Sequence, residues 1–158
     1  MNEDQLDKLW KRIKPLKIAM LTSKDGDVLR ARPMWLVQDD FDGALWFFTR
    51  LSSHKSVELN HSNQVCLSFC SEKDNTFVSL SGIASLTQSR EKIDEFWSEA
   101  VSVWFPDGRD SGDVALIKVD IQQAEYWDGH GVVKQVYEFI AAKVASRTPD
   151  LGDHEKIQ

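Results

Sequence analysis

The chain has 158 residues, a net charge of −6, and hydrophobic and charged fractions of 42% and 28%, the balance of an ordinary soluble protein long enough for one substantial core. The acidic balance argues against general nucleic-acid binding, which needs a basic face, and no apolar run reaches the roughly 18 to 20 residues a membrane helix requires. The N-terminal MNEDQLDKLWKRIK lacks the apolar centre of a signal peptide, so a cytoplasmic protein is expected, a single domain over 1–158 with a loosely ordered polar tail over 147–158.

In chain order, Asn2 or Asp4 is placed to cap a helix through Ile13, with Leu6, Leu9, Trp10 and Ile13 on one face and Pro15 ending it. Strands over 18–22 and 28–37 flank the turn Lys24-Asp25-Gly26-Asp27, where glycine accepts the positive φ of a hairpin. A polar turn over 39–43 leads to Leu45-Trp46-Phe47-Phe48, an aromatic strand that stops at Thr49. A helix over 53–61 follows, then strands over 65–71 and 76–86. Gly82, inside the second of these, signals a bulge or a close backbone approach.

Cys66 and Cys70 share the first of those strands, about 13 Å apart and too far to bridge each other. With no histidine beside them and no second pair, they argue against zinc and are expected as buried, reduced thiols. Ser89 caps a helix of sequence REKIDEFWSE, and a compact segment over 100–112 follows. The last long strand, 114–127, sets Ala115, Ile117, Val119 and Ile121 on one face, and a final helix is expected over 134–146. Strands in hairpin-like succession with intervening helices argue for an antiparallel barrel plus helices rather than alternating βα units.

The richest chemistry lies over 44–55, ALWFFTRLSSHK. There a buried-type strand feeds hydroxyls and cations into the start of a helix. Free backbone N–H groups and the helix dipole at such a place favour an anion, phosphate above all. The same residues also read as a strand, a polar turn and a serine cap with Lys55 in solvent. In Arg30-Ala31-Arg32-Pro33-Met34-Trp35, alternation puts both arginines on one face, and Pro33 implies an edge, a bulge or a rim. Those arginines suit a phosphate or a flavin's polar edge, or simply solvent. No GxSxG elbow, glycine-rich phosphate loop or acid–base carboxylate pair occurs.

Five segments, RARPM, WFFTRLSSHKSVEL, VSLSGIA, WFPDG and AEYWD, together resemble the general-stress-protein branch of the pyridoxamine 5′-phosphate oxidase-like family. The resemblance implies a mainly β protein with helices, a split antiparallel β-barrel that binds FMN. It assigns flavin contacts to Arg32, Pro33 and Met34, a strand end to Phe48 and Thr49, and a phosphate clamp to Ser53, His54 and Lys55. It further implies a homodimer with FMN at the subunit interface, with Trp104 and Phe105 approaching from the partner chain.

Two departures qualify this. The clamp position that is arginine in the true oxidases is His54, and no Arg-x-His segment follows Trp127, which argues against vitamin B6 oxidation. The resulting expectation is an FMN-dependent oxidoreductase whose catalytic residues stay unassigned. Its alternatives are a non-enzymatic flavin-buffering stress protein, or a split barrel holding a deazaflavin or haem.

Overall fold

The computed structural model describes residues 3–54, 56, 59, 62–128 and 153–157. Helix α1 (Glu3–Ile13) turns Leu9 and Ile13 into the interior, as its spacing requires. Strands β1 (Ile18–Asp25) and β2 (Val28–Trp35) pair from Ile18↔Trp35 to Asp25↔Val28 across a tight turn in which Gly26 takes φ +61°. They are followed by β3 (Ala44–Arg50), β4 (Gln64–Ser71), β5 (Thr76–Thr87), the short helices α2 (Arg90–Phe96) and α3 (Glu99–Ser102), and β6 (Val114–Asp128). A further strand, β7 (Asp153–Ile157), pairs with the end of β6.

Every strand pairing among the described residues is antiparallel, and the sheet runs β2-β1-β4-β5-β6-β3. Leu36, just past β2, bridges Phe47 of β3, so the two ends of the sheet meet and the whole is a split barrel. Gln38 extends this seam with its side chain: Trp46 N–H donates to its Oε1 at 2.8 Å, and its Nε2 donates to the Ala44 carbonyl at 2.8 Å. A buried amide thus stands in for ladder bonds that the splayed strands do not make.

Two apolar clusters form on the two faces of β3 and β6. Inside the barrel, Leu45 and Phe47 meet Leu21, Leu67, Phe69, Leu80, Ile117 and Val119. Burying each such side chain stabilises the fold by about 1.5–3 kcal/mol relative to exposure. On the outer face, Ala44, Trp46, Val114 and Leu116 pack against Ile93 of α2 and Phe105.

The bulge expected at Gly82 is present. Ser81 pairs with Gln123 and Gly82 with Ile121, so the ladder skips Gln122. The extra residue reverses the parity of β6: Ile117 and Val119 face the core before it, Ala124 and Tyr126 after it. A Cβ on Gly82 would stand 2.6 Å from the Asp120 carbonyl oxygen, which is why this position is glycine.

Several expectations are corrected. Cys66 is half-buried and Cys70 exposed, because Val65, Leu67 and Phe69 take the core-facing positions of β4 and leave the cysteines on the outer face. Within the 147–158 segment expected as a loose tail, Asp153–Ile157 pair with Ala124–Asp128, a long-range ladder that so short and polar a run does not announce. The helix expected over 90–99 ends at Phe96, where Trp97 turns extended and Ser98 caps α3. The helix expected over 134–146 lies outside the described residues. Among the described residues, no helix is long and apolar enough to cross a membrane.

Candidate functional site

At the end of β3 the chain changes from apolar to hydroxylic within a few residues. Phe48 packs edge-on against Trp97, with ring centroids 5.6 Å apart, and lies 5.7 Å from Phe105. Thr49 is buried, and its Oγ lies 3.3 Å from Ser53 Oγ, which lies 3.0 Å from Ser56 Oγ. Ser53 and Ser56 both donate to the Arg50 carbonyl, at 2.6 and 2.8 Å. Hydroxyls rotate, so a cluster that shares one acceptor can redirect its protons toward an anion without moving the backbone.

In the turn between strand and helix, the N–H groups of residues 51–53 are already engaged within the protein. Leu51 N–H donates to the Asp113 carbonyl at 2.9 Å, and Ser52 N–H to Asp113 Oδ1 at 2.8 Å. Ser53 N–H closes back on the Arg50 carbonyl at 3.1 Å. Asp113 also accepts the Ser52 hydroxyl at 2.9 Å and faces Arg50 Nη1 at 3.6 Å. The Ser52 amide, helped by the hydroxyl and the guanidinium and opposed by partial burial, holds the Asp113 carboxyl below its ordinary value. A carboxylate of the protein's own therefore takes the Ser52 amide, and backbone carbonyls take those of Leu51 and Ser53.

Around Phe48 and Thr49 opens a cleft of about 970 Å³. Its walls come from the segment from Pro33 to Val37, from the end of β3, and from α2, α3 and the Trp104–Phe105 segment. Aromatic and aliphatic side chains dominate it, and the polar groups collect at Thr49, Arg50 and Ser53 on one side and at Lys17, Asp39, Glu95 and Ser98 elsewhere on the lining. Lys17 is in the left-handed region, at φ +56°, and its ammonium donates to Asp39 at 3.1 Å. The hydrogen bond from Lys17 is the main reason that the Asp39 carboxyl lies below its ordinary value.

Of the residues singled out in the sequence, Pro33, Met34, Phe48, Thr49, Ser53, Trp104 and Phe105 line this cleft together within the one chain. Arg32 is not among the lining residues and donates from Nη1 to the buried Ser23 hydroxyl at 2.7 Å. His54 is helical but also stands apart from the lining residues. Its Nε2 lies 3.0 Å from Asp25 Oδ2, the oxygen that also receives Arg30 Nε at 2.8 Å. The His54 hydrogen bond and charge, with Arg30, hold the Asp25 carboxyl below its ordinary value against partial desolvation. Lys55 lies outside the described residues. The sequence does not single out Trp97, hidden in a helical pattern that breaks there, or Asp113, which reaches Ser52 across 61 residues.

Comparison with known proteins agrees with this architecture. A family model described as "Pyridoxamine 5'-phosphate oxidase like" matches residues 4–150. Protein bli-3 of Neurospora crassa is 26% identical over 121 residues, which are 70% of this chain but only 58% of that protein. The crystal structure of a general stress protein 26 from Jannaschia sp. CCS1 superposes with a TM-score of 0.79 at 26% identity, covering 99% of each chain. The general stress FMN/FAD binding protein from Xanthomonas citri superposes with a TM-score of 0.70 at 26% identity, covering 80% of this chain and 90% of that one. The match runs from α1 through β6, across every strand that builds the barrel and the cleft beside it, and the chain belongs to the pyridoxamine 5′-phosphate oxidase-like family.

Proposed function

We propose that this protein binds FMN in the cleft beside β3 and serves as a flavin-dependent oxidoreductase of the general-stress branch of its family. The observation that carries this reading is the polarity of the cleft. The hydroxyls of Thr49 and Ser53, the latter bonded to Ser56, share the lining with Met34, Phe48, Trp97 and Phe105. That division fits a molecule with a flat, largely apolar ring system at one end and a phosphate at the other. The Xanthomonas citri relative, described as FMN/FAD binding, supports the same assignment.

In this reading Thr49 and Ser53 donate to the phosphate and Lys55 neutralises it. Pro33 and Met34, at the open edge of the barrel, border the ring, and Phe48 and Trp97 exclude water from it. Arg32, anchored on Ser23, adds positive charge behind that edge, and His54 contributes through its contact with Asp25. A flavin held there supplies hydride or electron transfer, and the protein's part is to bind, orient and shield it. We further propose a homodimer, which would bring a partner's surface against the exposed Trp35 and Trp104 at the cleft mouth.

A Lys55→Glu variant tests the phosphate assignment. It should lose FMN while keeping the wild-type melting temperature, and unchanged FMN affinity would remove Lys55 from the clamp.

A further inference from the structure

Arg50, on the cleft lining, reaches two distant segments, Trp104–Phe105 on the same lining and Asp113 outside it. Its Nη2 donates to the Trp104 carbonyl at 2.9 Å, 54 residues away in the chain. Its Nη1 faces Asp113 at 3.6 Å, and its guanidinium carbon lies 5.4 Å from the Phe105 ring centroid. Asp113 is itself fixed by the amide and hydroxyl of Ser52. Trp104 has much less to hold it. Its side chain is 70% exposed, and the Trp104 N–H bonds only to the end of the four-residue helix α3, at Val101. Phe105, by contrast, is buried in the outer apolar cluster.

We propose that Arg50, braced by Asp113, is a positioning residue: it fixes the backbone at Trp104 so that the indole stands as a stacking wall for the planar ligand of the cleft. This rests on the flavin reading for the identity of that ligand, but the positioning itself does not need the flavin. The guanidinium suits the task because its planar fork presents separate nitrogens to a carbonyl and a carboxylate in a fixed geometry, and methionine, of similar length, offers no donor to either. Arg50 thereby links the turn that bears the hydroxyl cluster to the opposite wall of the cleft.

The test compares wild type, Arg50→Met, Trp104→Ala and the double variant. In the ligand-free proteins, hydrogen exchange of the amides over 103–108 should quicken about tenfold in Arg50→Met, with the barrel strands unchanged. With FMN bound, Trp104→Ala should brighten flavin emission severalfold by removing a quenching indole. Arg50→Met should brighten it comparably, and the double variant should add nothing more. Unchanged exchange over 103–108 would overturn the proposal, and so would additive effects on emission. Quickened exchange in Arg50→Met, together with a wild-type protein that takes up no FMN, would sustain the positioning role and refute the flavin reading instead.

Discussion

Asp113 holds Ser52 by both of its polar groups: the backbone N–H donates to one carboxylate oxygen at 2.8 Å and the hydroxyl to the other at 2.9 Å. The relationship fixes the strand-to-helix turn and engages the Ser52 amide. On the proposed reading a phosphate would rely on the rotatable hydroxyls of Thr49 and Ser53 and on Lys55, with Asp113 fixing the turn and not touching the ligand.

Removing that carboxylate should therefore weaken binding without abolishing it. Asp113→Ala is expected to lower FMN affinity severalfold, with the far-ultraviolet circular dichroism of the wild type retained. A fluorescence titration with FMN checks this.

The same pair should be sensitive to acid. The Asp113 carboxyl is lowered from its ordinary 3.8 in the folded protein, so the unfolded chain takes up the proton first as pH falls. Its contribution to stability is complete above that ordinary value and is lost as the pH drops through the lower, folded one. The melting-temperature gap between wild type and Asp113→Asn should be small but constant at neutral pH and should close in that acid window. The side chain is partly exposed, so solvent and salt reduce the effect.

Ser53 is the centre of the hydroxyl cluster, within hydrogen-bond reach of Thr49, Ser56 and the Arg50 carbonyl. Ser53→Ala leaves Ser56 to satisfy that carbonyl, so the fold should persist. A hydrogen bond to a charged group contributes about 1.5–3 kcal/mol, so the dissociation constant for FMN should rise roughly 10- to 100-fold. Riboflavin, which lacks the phosphate, should bind the variant and the wild type alike.

The seam of the split barrel should depend on Gln38, whose amide joins Trp46 N–H and the Ala44 carbonyl in the buried interior. Gln38→Ala leaves both backbone groups without their partner, at about 1–3 kcal/mol for each unsatisfied group. Denaturant unfolding is expected to show a loss of that order.

Gly82→Ala should be as costly for a steric reason. Its new Cβ would meet the Asp120 carbonyl oxygen at 2.6 Å and the Val119 side chain at 2.9 Å, and relieving such overpacking costs about 1–3 kcal/mol. A melting temperature within a degree of wild type would contradict the close approach.

The features that were legible in the sequence are local ones. The Asp25-Gly26 turn, the Ser89 cap and the glycine at the bulge each state their geometry within a few residues. The expected strands accordingly match β1 to β6, with ends displaced by up to three residues. Contacts between distant segments were not legible. Nothing near Ser52 announces Asp113, nothing near His54 announces Asp25, and the polar run 153–157 gives no sign of pairing with β6. The exposure of Cys70 follows from strand parity, which a continuous apolar run such as QVCLSFC obscures. Within the candidate site, one wall (Pro33, Met34, Phe48, Thr49, Ser53) is written in motifs, whereas Trp97 and the Arg50–Trp104 link on the other arise only from tertiary packing.

The most direct test of the account is the visible absorption spectrum of the protein after incubation with FMN and removal of unbound ligand by gel filtration. With FMN held in the cleft, the flavin's two absorption bands should co-elute with the protein at close to one FMN per chain. Protein that elutes colourless, or that carries the single sharp band of haem or the blue-shifted band of a deazaflavin, would contradict it.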